Sequence, residues 1–273
     1  MRQSMVGQSD TVDRLAGFVA DRVDAARSVE APFHHIVFDE FFPADVYRQL
    51  IETMPDAADY RPMSGRSRYS NTAGPTPTRV KIDLFPEYVR HLPPARRELW
   101  DRVGRALCAN VLRQAFVQRL APGLERRFGP DYAKERFFPI PVLTRDIAGY
   151  HIAPHTDTRW KGITVLVYLP RDETTAHIGT VLHARTADGT LARAGQGRFA
   201  PNTGLAFAVG DDSWHSVDKV GPEVRTRDLV ILQYFVDSGV QRFMRNRGKR
   251  IGNMLLGEMR RFGSRFAGTA GPS

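Results

Sequence analysis

Hydrophobic positions change their period near residue 137. Before it, apolar residues recur at intervals of three and four. Leu99, Val103, Leu107, Val111, Leu112 and Phe116 form such a series and mark one buried helix face. The spacing predicts helices near 11–28, from Pro43 to about Met54, and over roughly 94–128, with Pro43 suited to a first helical turn. A short strand is expected at 33–38. Beyond 137, short apolar runs alternate with Gly, Pro and Asp. They predict strands at 142–145, 151–152, 162–169, 179–184, 204–209 and 228–236. Several short strands at this spacing indicate a β-sandwich or barrel. Helices first and strands later place the helices outside one sheet, a mostly β arrangement with flanking helices (α+β).

Three segments follow within one domain spanning 1–273. Residues 1–136 are mainly helical but include an irregular stretch, 56–80, rich in Gly, Ser, Pro, Thr and Arg. Long loops inside compact domains are usually functional or disordered, so Arg66, Arg68 and Tyr69 are candidate substrate contacts. Residues 137–238 carry the strands. Residues 239–273 form a basic segment in which Phe243, Ile251, Met254, Leu255, Met259 and Phe262 are set among Arg and Lys. That pattern suits a helix docked by its apolar face, with a weak contact with an anionic membrane surface as the lesser alternative.

Composition narrows the picture. The chain has 273 residues, 42% of them hydrophobic and 25% charged, as in soluble globular domains. The formal net charge is +9, much of it in the C-terminal segment, so it need not describe a site. The basic segment lacks the interleaved aromatic platforms that hold single-stranded nucleic acid, which disfavours a nucleic-acid partner. A single cysteine, Cys108, excludes an intramolecular disulfide and argues for plain core packing. No apolar run approaches the ~20 residues that cross a bilayer, and the polar start Met1–Asp10 lacks the core of a signal peptide. A cytoplasmic location is the resulting expectation. Nothing in the composition fixes an oligomeric state.

The candidate chemistry lies in Gly149-Tyr150-His151-Ile152-Ala153-Pro154-His155-Thr156-Asp157. In an extended strand positions i and i+2 share a face, so His155 and Asp157 can hold one ion together. A third ligand is sought elsewhere, and His215 in Gly210-Asp211-Asp212-Ser213-Trp214-His215 is the best candidate. Two histidines and one carboxylate on one face of a metal make the facial triad of non-haem iron(II) oxygenases, with positions left open for other ligands. Arg227 opens a strand twelve residues after His215. Its planar two-donor fork suits a carboxylate, as a 2-oxoglutarate chelating iron at its other end requires. Arg225 is the rival anchor on the same side of the strand.

The segments Tyr150 to Asp157, Ile163 to Pro170 and Trp214 to Phe235 resemble the iron(II)/2-oxoglutarate dioxygenases of the prolyl-hydroxylase-like branch, in order and spacing. The resemblance implies a double-stranded β-helix core (jelly-roll, cupin-like). It implies Fe(II) held by His155, Asp157 and His215, with 2-oxoglutarate and O2 as co-substrates. By the same resemblance Arg227 and Tyr168 bind the distal carboxylate of 2-oxoglutarate, and Thr164, on the strand face of Tyr168, lines the pocket. The implied reaction couples oxidative decarboxylation of 2-oxoglutarate to hydroxylation of a substrate. Related halogenases replace the carboxylate ligand with a small residue, so Asp157 disfavours halogenation.

Competing roles are weaker. His151 and His155 have the spacing of two helical zinc ligands, but Gly149 and Pro154 oppose a helix there. His183 competes as third ligand, or faces substrate, as Trp160 does at the mouth of the site. The substrate class suggested is a small polar metabolite, some relatives acting on sugars, with oxidative ring closure as a related outcome. Hydroxylation of a protein, for example at a prolyl residue, is a second hypothesis. A catalytically silent jelly-roll binding module is a third.

Overall fold

The structure is a computed structural model and describes residues 2–63 and 77–236. The helices are α1 (Arg2–Asp24), α2 (Ala44–Glu52), α3 (Pro86–Val89), α4 (Pro94–Leu107), α5 (Asn110–Arg119) and α6 (Ala121–Phe128). The strands are β1 (Arg27–Val29), β2 (His35–Phe38), β3 (Arg61–Pro62), β4 (Arg79–Asp83), β5 (Phe137–Asp146), β6 (Ile152–His155), β7 (Lys161–Tyr168), β8 (Val181–Arg185), β9 (Leu191–Gln196), β10 (Gly204–Ala208), β11 (His215–Val217) and β12 (Arg227–Val236). Every pairing among them is antiparallel.

The strands form a large sheet, ordered β1-β2-β10-β7-β12-β5-β4-β3, and a small one, ordered β6-β11-β8-β9. From β5 onward the chain passes back and forth between them. β5, β7, β10 and β12 lie in the large sheet, and β6, β8, β9 and β11 in the small one. This winding of eight antiparallel strands into two facing sheets is the jelly roll, the core expected above. Six of its strands lie near the expected runs. β9 and β11 went unpredicted, because neither Leu191–Gln196 nor the three-residue His215–Val217 carries a clear apolar alternation.

The two faces of the large sheet bury different things. The outer face (Ile163, Val165, Val167, Val230, Leu232, Tyr234) packs with the helices, including Val103 and Leu107 of α4 and Leu112 and Phe116 of α5. α4 lies so close to the segment after β4 that a Cβ on Gly104 would sit 2.1 Å from the Leu84 carbonyl oxygen. The inner face (Leu166, Tyr168, Leu205, Phe207, Leu229, Ile231) meets Leu182 and Val217 of the small sheet in a second core.

The long helical stretch expected at 94–128 is three helices. α4 is capped at Cys108, Ala109 is extended, and Leu120 leaves the helical region two residues before Pro122, which opens α6. The break at Ala109 resets the helical phase, so Val111, expected on the buried face, is 46% exposed. Cys108 is correspondingly half-buried at the helix end, not a core residue. α1 starts earlier than expected and stops at Asp24, because Arg27–Val29 pairs with β2. Asn202, at φ 61°, binds both polar backbone groups of Phe42, at 2.9 and 2.7 Å, and so ties the entry to β10 to the start of α2.

Residues Met1–Val236 make one compact unit. The basic segment 239–273 lies outside the described residues. Among the described residues, no helix is long and apolar enough to cross a membrane.

Candidate metal centre and cosubstrate pocket

His155 is the last residue of β6 and His215 the first of β11, directly opposite it in the pairing. Their rings lie 4.4 Å apart, centre to centre. Asp157 lies beyond the end of β6, in the turn to β7, and still reaches them. One ligand atom from each of His155, Asp157 and His215 falls within 4.8 Å of the others. The sequence expected this trio, and among the described residues it is the only such group of His, Cys, Asp or Glu.

The surroundings suit a metal. Nδ1 of His155 lies 2.9 Å from the Ala153 carbonyl, and Nδ1 of His215 lies 2.9 Å from the Ser213 carbonyl. Each Nδ1–H therefore donates to backbone and Nε2 carries the lone pair, the orientation that metal-binding imidazoles adopt. Burial, then the neighbouring His215, lowers the pKa of His155 to about 4, and burial lowers that of His215. Both are neutral donors at physiological pH. Burial works against the charge of Asp157. Lys161, at 2.5 Å from Oδ1, and Thr164, donating to Oδ2 at 2.6 Å, outweigh it and hold the carboxyl well below its usual range. Thr164 is thus joined to the Asp157 carboxylate itself. Lys161 was not singled out in the sequence; its spacing of four from Asp157 was the available signal.

α6 fixes the backbone around the centre. The Arg127 guanidinium donates to the carbonyls of Lys161, Val209 and Arg159. Arg126 pairs with Asp212. One helix end thereby holds the turns that precede β7 and β11.

Arg227 is 0% exposed and lies on the inner face. Its Nε donates to the Ile178 carbonyl at 2.8 Å and Nη1 to Asp146 at 2.8 Å. Its guanidinium carbon stands 5.9 Å from the Tyr168 ring centre and 5.5 Å from that of Phe199. The Tyr168 hydroxyl accepts the Thr180 N–H at 3.1 Å. A Cβ on Gly197 would lie 2.6 Å from that hydroxyl, so glycine there leaves the phenol its place. Arg225 is exposed and precedes β12, which separates it from this pocket. Asp146 and Arg79 were not anticipated, because strand pairing brings them to Arg227 from 81 and 148 positions away (227 − 146 and 227 − 79).

The other candidates fall elsewhere. His183 binds the Ser216 hydroxyl at 2.7 Å. Leu182, not His183, lies opposite His215. Neighbouring residues in a strand alternate faces, so His183 and Ser216 point to the side of the small sheet away from the ligands. Trp160, in the turn after Asp157, is 51% exposed. Arg66, Arg68 and Tyr69 lie outside the described residues.

Buried and half-buried histidines set an acid limit on stability. Burial is the leading cause lowering the pKa of His34, His35, His155, His183 and His215 from the ordinary 6.5. Below about 6.5 the unfolded chain therefore binds more protons than the folded one, and stability falls with pH down to the lowered folded values, near 4 for His155. Asp228 works against the trend, since burial raises its pKa. Thermal melts of the metal-free protein should show Tm dropping from pH 7 to pH 5. A Tm unchanged over that interval would contradict the burial of these rings.

No family model matches the chain, and no curated protein matches it. Similar arrangements occur among solved structures. A prolyl-4-hydroxylase from Pseudomonas putida is 18% identical, with 81% of this chain and 98% of that one covered at a TM-score of 0.48. A prolyl hydroxylase of Trichoplax adhaerens, in complex with a hypoxia inducible factor peptide fragment, is 10% identical over 84% and 92% at 0.46. AviO1 from Streptomyces viridochromogenes Tue57 is 13% identical over 82% and 95% at 0.44.

Proposed function

We propose that the chain is an iron(II)- and 2-oxoglutarate-dependent dioxygenase that hydroxylates, or otherwise oxidises at a C–H bond, a small polar metabolite in the cytoplasm. The observation that carries this is the convergence of His155, Asp157 and His215 on one point, inside a jelly roll that also buries Arg227 beside Tyr168. Two neutral imidazoles and one carboxylate suit Fe(II) and leave positions for further ligands. Bound iron would supply O2 activation coupled to oxidative decarboxylation of 2-oxoglutarate. The chain's own residues do the positioning. Lys161 and Thr164 hold Asp157 ionised and oriented. Arg227 and the Tyr168 hydroxyl take the distal carboxylate, and the inner core around Leu166, Leu205 and Phe207 keeps water from the reacting end. Trp160, on the rim, and Arg66, Arg68 and Tyr69 are proposed substrate contacts.

Anaerobic titration of the iron(II)-loaded protein with 2-oxoglutarate tests this. A weak visible charge-transfer band should appear, and His215→Ala should abolish it. Folded, iron-bound protein that gives no band would sink the proposal and favour a silent binding module.

A further inference from the structure

Arg79, Asp146 and Arg227 stand in one cross-strand row on the inner face of the large sheet. Arg79 of β4 lies directly opposite Asp146 of β5, and Asp146 directly opposite Arg227 of β12. Asp146 is fully buried. Its Oδ2 accepts Arg227 Nη1 at 2.8 Å and Arg79 Nη2 at 2.7 Å, and its Oδ1 accepts Arg79 Nε at 2.5 Å. Arg79 also lies over the Tyr150 ring, 4.1 Å from its centre. One carboxylate thus serves two guanidinium groups, and the row keeps one positive charge. Arg145 and Asp228, adjacent to Asp146 and Arg227 along β5 and β12, pair with each other at 2.6 Å. Among the described residues, no second carboxylate is paired with Arg227 or Arg79. A buried charge lacking a counter-charge is strongly unfavourable, so the row is built to receive an anion.

We propose that Arg79 is the charge-balancing residue of the cosubstrate pocket. By taking up the carboxylate of Asp146, it leaves the positive charge of Arg227 available to the distal carboxylate of the 2-oxo acid, and so sets the preference for a dicarboxylate. The inference rests on the function proposed above. Without Arg79, Asp146 and Arg227 become a closed neutral pair, and an incoming carboxylate meets the charge of Asp146 at short range. The Arg79 fork grips Asp146, not the 2-oxo acid, which makes it a positioning residue.

Two ligands separate this role from a structural one. 2-Oxopentanoate chelates a metal as 2-oxoglutarate does but carries a methyl group in place of the distal carboxylate. Dissociation constants for both would be read from the anaerobic charge-transfer band of the iron(II)-loaded protein. Arg79→Gln should weaken 2-oxoglutarate binding by at least about tenfold and leave 2-oxopentanoate within about threefold of wild type. Asp146→Asn added to Arg79→Gln restores the single positive charge and should recover most of the loss. Such recovery by a second deletion is a coupling that general loosening would not produce. Arg79→Lys, which keeps the charge but not the fork, should stay close to wild type. Should Arg79→Gln alone fail to fold, the double variant decides: selectivity near wild type supports the proposal, and its loss overturns it. An unchanged 2-oxoglutarate constant in Arg79→Gln, or a double variant no better than the single, also overturns it while leaving the proposed function standing. Wild-type protein that binds neither ligand removes the proposed function itself.

Discussion

His155→Ala and His215→Ala should each weaken iron(II) binding by at least about a hundredfold, since loss of an outer partner alone commonly costs ten- to a hundredfold. 2-Oxoglutarate turnover should then fall to about 1% of wild type or less. The structure explains why, among the described residues, no other group substitutes. Each imidazole is locked by its own Nδ1–carbonyl bond at 2.9 Å, and His183 points away from the centre with Ser216. Neither variant should unfold. Removing His155 also removes a ring whose burial opposes protonation, so the variant's stability should depend less on pH between about 4 and 6.5 than that of wild type. Dialysis against competing chelators, followed by metal analysis and melts at two pH values, checks both parts. Wild-type iron content in either variant would show that the ion is held elsewhere.

The proposed metal ligands were legible in the sequence because coordination chemistry restricts both residue type and spacing. His155 and Asp157 two apart, with a third histidine preceding an arginine-led strand, survive any detail of register. The pocket around Arg227 was only half legible. Arg227 announces itself at the head of a long apolar strand. Arg79 and Asp146 do not, since their place beside it depends on which residues of β4, β5 and β12 face each other. Only the assembled sheet fixes that register. The same reason explains why β1, β3 and β4 went unpredicted: β1 and β3 are two- or three-residue edge strands and β4 lies beside β3, and partner strands define them more than their own alternation does. Val111 shows the opposite failure. Its periodic match to Leu107 was real, but Ala109 interrupts the helix between them, and a period has meaning only within one unbroken helix.

Arg227→Ala should raise the dissociation constant for 2-oxoglutarate by roughly 30- to 1000-fold, the range expected when a buried, charge-assisted carboxylate partner is lost. Binding of 2-oxopentanoate should change little, because the metal-chelating end of the molecule is untouched. Arg225→Ala should have no such effect, since Arg225 is exposed and outside the pocket. Arg227→Ala alters two features of the core. It deprives the Ile178 carbonyl of its Nε donor and leaves a cavity beside Tyr168 and Phe199. Asp146, however, keeps both bonds from Arg79, so no buried carboxylate is stranded, and stranding is what makes loss of one ion-pair partner so destabilising. Arg227→Lys supplies the control. It keeps a positive charge near Tyr168 but cannot form the planar two-donor contact, and its affinity should lie between those of wild type and Arg227→Ala. Calorimetric titration of the manganese(II)-substituted protein would measure all four proteins without turnover. If Arg225→Ala weakens 2-oxoglutarate while Arg227→Ala does not, the carboxylate is held outside the jelly roll, and the row of Arg79, Asp146 and Arg227 is part of the structural core only.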